Sequence, residues 1–159
     1  MRRLIIGMTG STGAIFGVRM LEALKGSEVE SHLIISKWAQ RTLEHETRYT
    51  VEQVRALASV VHSQGDMGAS ISSGSFKTEG MVVMPCSVHT LAGIANGYGE
   101  HLVHRAADVV LKELQEAGGE GAVIALDAKG NFASPFNSEG LYRGYIDRQG
   151  KATVALYED

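Results

Sequence analysis

The stretch Gly7-Met8-Thr9-Gly10-Ser11-Thr12-Gly13 sets glycines and hydroxyl residues side by side. It follows the β-branched run Leu4-Ile5-Ile6 and precedes Ile15, Val18, Leu21 and Leu24, which recur about one helical turn apart. That is a strand, a Gly-rich turn and a helix. In a parallel sheet such a turn lies at the carboxyl end of a strand. The first amides of the helix are unpaired there and the helix dipole favours an anion. Thr9, Ser11 and Thr12 add hydroxyl donors, so the pattern predicts a phosphate site. The spacing is G-x-x-G-x-x-G, which is not the dinucleotide fingerprint, and no Walker lysine follows. Glycines that serve only close helix–strand packing are the competing explanation. Two further strand ends carry hydroxyls: Ser36, and Ser87 with Thr90 after Pro85-Cys86. Each alone reads equally as a helix cap. Three such ends on one sheet edge match the place where open α/β sheets bind ligands.

These residues need elements to position them. Residues 31–36, Ser-His-Leu-Ile-Ile-Ser, form a continuous apolar run of the kind buried in parallel sheets. Residues 37–47 and 50–58 read as helices, the second opened by Thr50 with Gln53 completing a capping box. Residues 69–76 are small and polar and read as a loop. A buried strand leads into Pro85, then a short helix ends at Gly97, and a longer one ends at Gly118-Gly119. The predicted order to 119 is β-α-β-α-α-β-α-α, a three-layer α/β fold of flavodoxin-like or Rossmann-like kind with a parallel sheet. Beyond 119 the grammar is antiparallel, with turns at Lys129-Gly130-Asn131 and at Asp147-Arg148-Gln149-Gly150.

The chain has 159 residues, enough for one domain with a core, and a formal net charge of −3. That charge argues against non-specific nucleic-acid binding. A single cysteine, Cys86, excludes an internal disulfide and points to a reducing compartment. No run approaches a membrane span and no signal-peptide pattern opens the sequence, so a cytoplasmic location is expected. Cys86 reads as a small buried hydrophobe. Glu46 on a helix reads as a solvated charge, and Lys112 near a helix C-terminus meets the dipole favourably. His101 and His104 share an i, i+3 face, as does nothing else that would complete a metal site; no metal is expected.

Taken together, GMTGSTGAIFGVRML, HLIISKWAQRTLEHET, ISSGSF, MVVMPCSVHTLAGIANGY and RAADVVLKE resemble the flavin prenyltransferase family, the UbiX-type flavoproteins. The resemblance runs from residue 1 to about 113. It implies that FMN binds at Thr9, Gly10 and Ser11, at Ser36, and at Ser87, Val88, His89 and Thr90. It implies catalytic positions at Thr12, Glu46 and Lys112, with Ser73, Gly74 and Ser75 lining the substrate site from a neighbouring subunit. The implied reaction transfers a dimethylallyl group from dimethylallyl phosphate to reduced FMN, for use by a partner decarboxylase. Phosphate departure from an allylic carbon needs a proton and charge stabilisation, which Glu46 and Lys112 have the chemistry to supply. Large homo-oligomers are implied as well.

Residues from about 114 to 159, including GGEGAVIALDAKGN and PFNSEGLYRGY, resemble instead the C-terminal part of the isoaspartyl peptidase/L-asparaginase family. The chain thus reads as one domain, 1–113 flavoprotein-like and 114–159 asparaginase-like, with a seam between them. The Pro-Arg-Glu strand and Tyr loop of the prenyltransferases are missing, and so is the threonine nucleophile of the hydrolases. The alternatives to the prenyltransferase are therefore an FMN- or phosphate-binding flavoprotein without turnover and an asparaginase-like fragment.

Overall fold

A computed structural model of the chain describes residues 2–116 and the strand segments 125–126, 132–133, 143–146 and 152–155. The first part runs β1 (Arg2–Met8), α1 (Ala14–Leu24), β2 (Val29–Ile35), α2 (Lys37–Glu46), α3 (Val51–Arg55) and β3 (Val60–His62). A 3-10 turn (Ser70–Ser72), β4 (Met81–Val83), α4 (Val88–Ala95) and α5 (Leu102–Glu116) follow. The four strands form one sheet in the order β3-β2-β1-β4. Every pairing in it is parallel, with β1 aligned along its length from Arg2↔Val29 to Met8↔Ile35. This is the flavodoxin-like α/β architecture expected.

Alternation along the strands builds two apolar faces. Ile5, Ile34 and Val83 face one way, packed with Leu102, Val103, Ala106 and Val110 of α5. Ile6, Leu33 and Ile35 face the other way, packed with Val18 and Leu21 of α1 and Leu43 of α2. Val18 and Leu21 are fully buried, worth roughly 2 kcal/mol each relative to exposure. Gly7 lets α5 come close to β1: a Cβ there would stand 2.9 Å from Val103 Cγ2.

The capping box at Thr50 and Gln53 is present, although α3 stops at Arg55 rather than continuing to 58. The strand β3 was not anticipated. It is three residues long and half exposed at the sheet edge, too short for period-2 alternation to show against the helix before it. The strand β4 ends at Val83, ahead of a cis Met84–Pro85 bond, because proline brings no N–H to continue a ladder.

Further on, β5 (Ala125–Leu126) pairs antiparallel with β6 (Phe132–Ala133), and β7 (Arg143–Ile146) with β8 (Ala152–Ala155). The turns expected at 129–131 and 147–150, and the helix stop at Gly118-Gly119, lie outside the described residues. Neither two-stranded ladder joins the four-stranded sheet, whose edges are β3 and β4. Among the described residues no helix is long and apolar enough to cross a membrane.

Candidate functional site

Three strands end on one edge, and the chain ties their tips together. Thr9, just past β1, is 2% exposed. Its amide and its hydroxyl both donate to Pro85 O, each at 3.0 Å. The same hydroxyl accepts from Ser87 N–H at 2.7 Å. Ser36 N–H donates to Met8 O at 2.9 Å, and Ser36 Oγ accepts from Ala39 N–H at 3.1 Å to cap α2. Ser87 Oγ accepts from Thr90 N–H at 3.2 Å and donates to Thr90 Oγ1 at 3.0 Å. Thr9, Ser36, Ser87 and Thr90 are therefore brought together, as expected, but mainly as staples and caps. The protein already uses their hydroxyls.

The donors left over sit elsewhere. Ser11 and Thr12 carry hydroxyls with no hydrogen bond among the described residues. Val88 and His89 open α4, and first-turn amides have no intrahelical partner. Gly10 is exposed and presses on α2, since a Cβ there would collide with Trp38 Cβ. Gly13 caps α1 in the left-handed region at φ 95°, a conformation a side chain would strain.

The α1 terminus departs from expectation. Its first amides are not vacant: Gly13 N–H and Ala14 N–H donate to Glu46 Oε2 at 2.9 and 3.1 Å. The reason is geometric. The helices α1 and α2 pack side by side, and Glu46 ends α2 level with the start of α1. A carboxylate of the chain itself thus supplies the anion that the dipole favours.

Large apolar side chains stand exposed around this edge: Phe16, Trp38 and Val88 at 58%, 67% and 69%. Sequence reasoning passed over them. The only signal was their place, each within four residues of a hydroxyl at a strand tip. Cys86 lies beneath, 3% exposed, with burial raising its thiol pKa to about 11. It is no nucleophile at neutral pH.

Lys112 is not brought to this edge within one copy of the chain. The helix α5 begins beside the strand tips, where Leu102 N–H donates to Gln64 O. It then runs back along the sheet, and at 1.5 Å per residue Lys112 lies about 15 Å from that start. There it is exposed and paired with Asp108 at 3.1 Å, which also holds Arg105 at 3.2 Å. Ser73, Gly74 and Ser75 are also exposed, with Ser73 Oγ and Ser75 Oγ 2.9 Å apart. Among the described residues, no three His, Cys, Asp or Glu side chains are placed to hold a metal ion.

A wound parallel sheet with this polar edge is the frame of a nucleotide-type binding protein. The family model described as Flavoprotein matches residues 1–116, and the chain belongs to that family. A Streptomyces sp. (strain D7) protein, a probable UbiX-like flavin prenyltransferase, is 62% identical over 112 residues, 70% of this chain and 56% of that protein. The flavin prenyltransferase UbiX of Escherichia coli (strain K12) is 53% identical over 114 residues, 71% of this chain and 60% of that protein. The chain thus spans little more than half the length of these curated relatives. The crystal structure of AnUbiX (PadA1) in complex with FMN and dimethylallyl pyrophosphate superimposes with a TM-score of 0.69 at 52% identity, covering 70% of this chain and 60% of that one. A dodecameric FMN-dependent UbiX-like decarboxylase from Escherichia coli O157:H7 gives 0.72 at 52% identity, covering 79% and 66%.

A second family model, described as Asparaginase, matches residues 77–156 and overlaps the first from 77 to 116. The overlap belongs to the flavoprotein frame, because it holds β4 in the parallel sheet and α5 on the core.

Proposed function

We propose that the protein is an FMN-binding flavin prenyltransferase, moving a dimethylallyl group from dimethylallyl phosphate to reduced FMN. One observation carries the reading. Every residue expected to hold FMN lies inside residues 1–116, the span matched by the Flavoprotein family model, and Thr9, Ser36, Ser87 and Thr90 meet at one sheet edge. The edge suits a nucleotide phosphate, with free hydroxyls at Ser11 and Thr12, first-turn amides at Val88 and His89, and the bare backbone of Gly10. Glu46 occupies the α1 amides, so a phosphate is assigned to the α4 side of the edge. Bound flavin would supply the nucleophile.

The chain's own part is to hold and to neutralise. Thr9 fixes the spacing of the β1 and β4 tips. Thr12 offers its hydroxyl beside Glu46, whose carboxyl group has the chemistry to pass a proton to a departing phosphate. Lys112, with the loop Ser73, Gly74 and Ser75, completes the site only from a second copy, and this argues for a homo-oligomer. A relative's dodecamer points the same way. The product serves a partner decarboxylase in the cytoplasm, with no nucleic-acid or membrane role.

A second reading is an FMN-binding flavoprotein without turnover. It draws on the short span of the relatives covered and on the asparaginase-like residues 114–159, which we regard as an antiparallel, structural ending joined at a seam. The single domain is then chimeric. Anaerobic incubation with reduced FMN and dimethylallyl phosphate separates the readings. The prenyltransferase changes the mass and spectrum of the flavin, the flavoprotein binds FMN unchanged, and colourless protein refutes both.

A further inference from the structure

Between β3 and β4 the chain forms one short 3-10 turn, Ser70–Ser72, and nothing longer. The tip Ser73-Gly74-Ser75 stands clear of the body: all three residues are exposed, and a Cβ on Gly74 would meet nothing within 4 Å. No ladder fixes such a tip. Its anchors are Ile71 before it, 1% exposed in the core, and Phe76 after it, packed on the same cluster. Phe76 N–H closes the turn by donating to Ser73 O at 3.0 Å, and Ser75 N–H donates to Ser73 Oγ at 3.3 Å.

The Phe76 ring is held from the sheet. The Arg3 guanidinium of β1 lies over it, 5.0 Å from its centroid. The His32 ring of β2 meets it edge to face, with centroids 4.9 Å apart and planes at 75°. One atom joins these two partners: Glu30 Oε1 lies 3.1 Å from Arg3 Nε and 2.8 Å from His32 Nε2. The strand register explains the meeting. Arg3 pairs with Glu30 across β1 and β2, and His32 lies two residues further along the same face. The His32 and Arg3 hydrogen bonds hold the Glu30 carboxyl below its ordinary pKa, so it accepts from both, whichever charge the His32 ring carries. Arg3 also fixes the chain just after Phe76. Its Nη1 donates to Lys77 O at 3.4 Å, and its carbonyl accepts from Thr78 Oγ1 and Glu79 N–H at 2.9 and 2.8 Å.

We propose that Glu30 is a positioning residue: by tying Arg3 and His32 into one clamp on Phe76, it presets the Ser73-Gly74-Ser75 tip for the substrate site of a second copy. The proposal rests on the prenyltransferase reading, which gives that tip to a neighbour's site. Freedom and orientation decide the effect. A cation over a ring face and an edge-to-face ring contact are both directional. A carboxylate oxygen shared by two donors leaves neither side chain free to swing. An exposed tip between two fixed anchors then loses little further freedom when a ligand arrives. Without Glu30 the guanidinium and the imidazole still touch Phe76 but no longer hold its angle, and the tip moves with the ring.

Two measurements on the purified protein test this. One is hydrogen–deuterium exchange by mass spectrometry, read on peptides covering residues 70–79. The other is anaerobic turnover of reduced FMN with dimethylallyl phosphate. Glu30→Gln should speed exchange in 70–79 several-fold and leave α1 unchanged. It should raise the KM for dimethylallyl phosphate several-fold while FMN affinity stays close to that of the parent. Phe76→Leu should exceed both effects, and Phe76→Tyr, which keeps the ring, should stay near the parent. Loss of FMN and prenyl-donor affinity in equal measure would mark a merely structural role and overturn the proposal. Parental exchange in Glu30→Gln would overturn it too, as would faster exchange with an unchanged KM. If Phe76→Leu does not fold, Glu30→Gln, at a part-exposed position, decides. A parent protein that fails to turn over refutes the prenyltransferase reading instead, and exchange in 70–79 then decides the clamp alone.

Discussion

Replacing Glu46 by alanine removes the two hydrogen bonds that close the start of α1, at 2.9 and 3.1 Å. A side-chain cap of this kind is worth about 1 kcal/mol, and a negative charge at a helix N-terminus adds about 0.5 kcal/mol. Glu46 is exposed, so screening reduces the second contribution, and the sum stays near 1 kcal/mol. For a chain of 159 residues, that lowers Tm by about 2–4 °C. Glu46→Gln keeps an acceptor oxygen and should lose about half as much. Thermal and urea unfolding followed by circular dichroism measure both. The same substitution acts on the ligand. Once Glu46 is gone, the Gly13 and Ala14 amides are free and a competing negative charge has left the edge. FMN should then bind Glu46→Ala more tightly than the parent protein, although that variant is less stable. Unchanged stability in both variants, or weaker FMN binding by Glu46→Ala, would refute the capping argument.

Thr9→Val should cost about 1–2 kcal/mol, because the part-buried Ser87 N–H loses its acceptor; Thr9→Ser should recover most of it in urea unfolding. His104→Leu should leave stability unchanged or raise it, since neither ring nitrogen of this buried histidine has a partner among the described residues. Burial holds the folded-state pKa of His104 below its ordinary 6.5. The unfolded chain therefore binds more protons below that pH, and the folded protein loses stability as pH falls from 6.5 toward the lower folded value. His104→Leu should flatten this slope, and a steeper one would contradict the argument. Cys86, with its thiol near pKa 11, should resist alkylation at neutral pH and react only once the protein is unfolded.

The outline of the fold was legible because the informative segments are long or sharply punctuated. Periodicity from Ile15 to Leu24 and the box at Thr50 and Gln53 carry local physics that needs no tertiary context. The edge strand Val60–His62 was not legible, being held by its register against His32–Ile34 rather than by any pattern of its own. At the site, sequence placed the hydroxyls on the right edge but not their use. Whether Thr9 donates outward or to Pro85 depends on where β4 ends, a contact 76 residues away. The capture of the α1 amides by Glu46 was hidden in the same way, since it depends on how two helices lie against each other.

The exposed Phe16, Trp38 and Val88 have a thermodynamic consequence for whatever settles among them. Covering about 250 Å² of such surface would lower the heat capacity of the complex by about 0.1 kcal/mol per kelvin. Association there should grow more exothermic on warming, the calorimetric mark of water leaving aromatic and aliphatic faces. A polar floor alone would not give it.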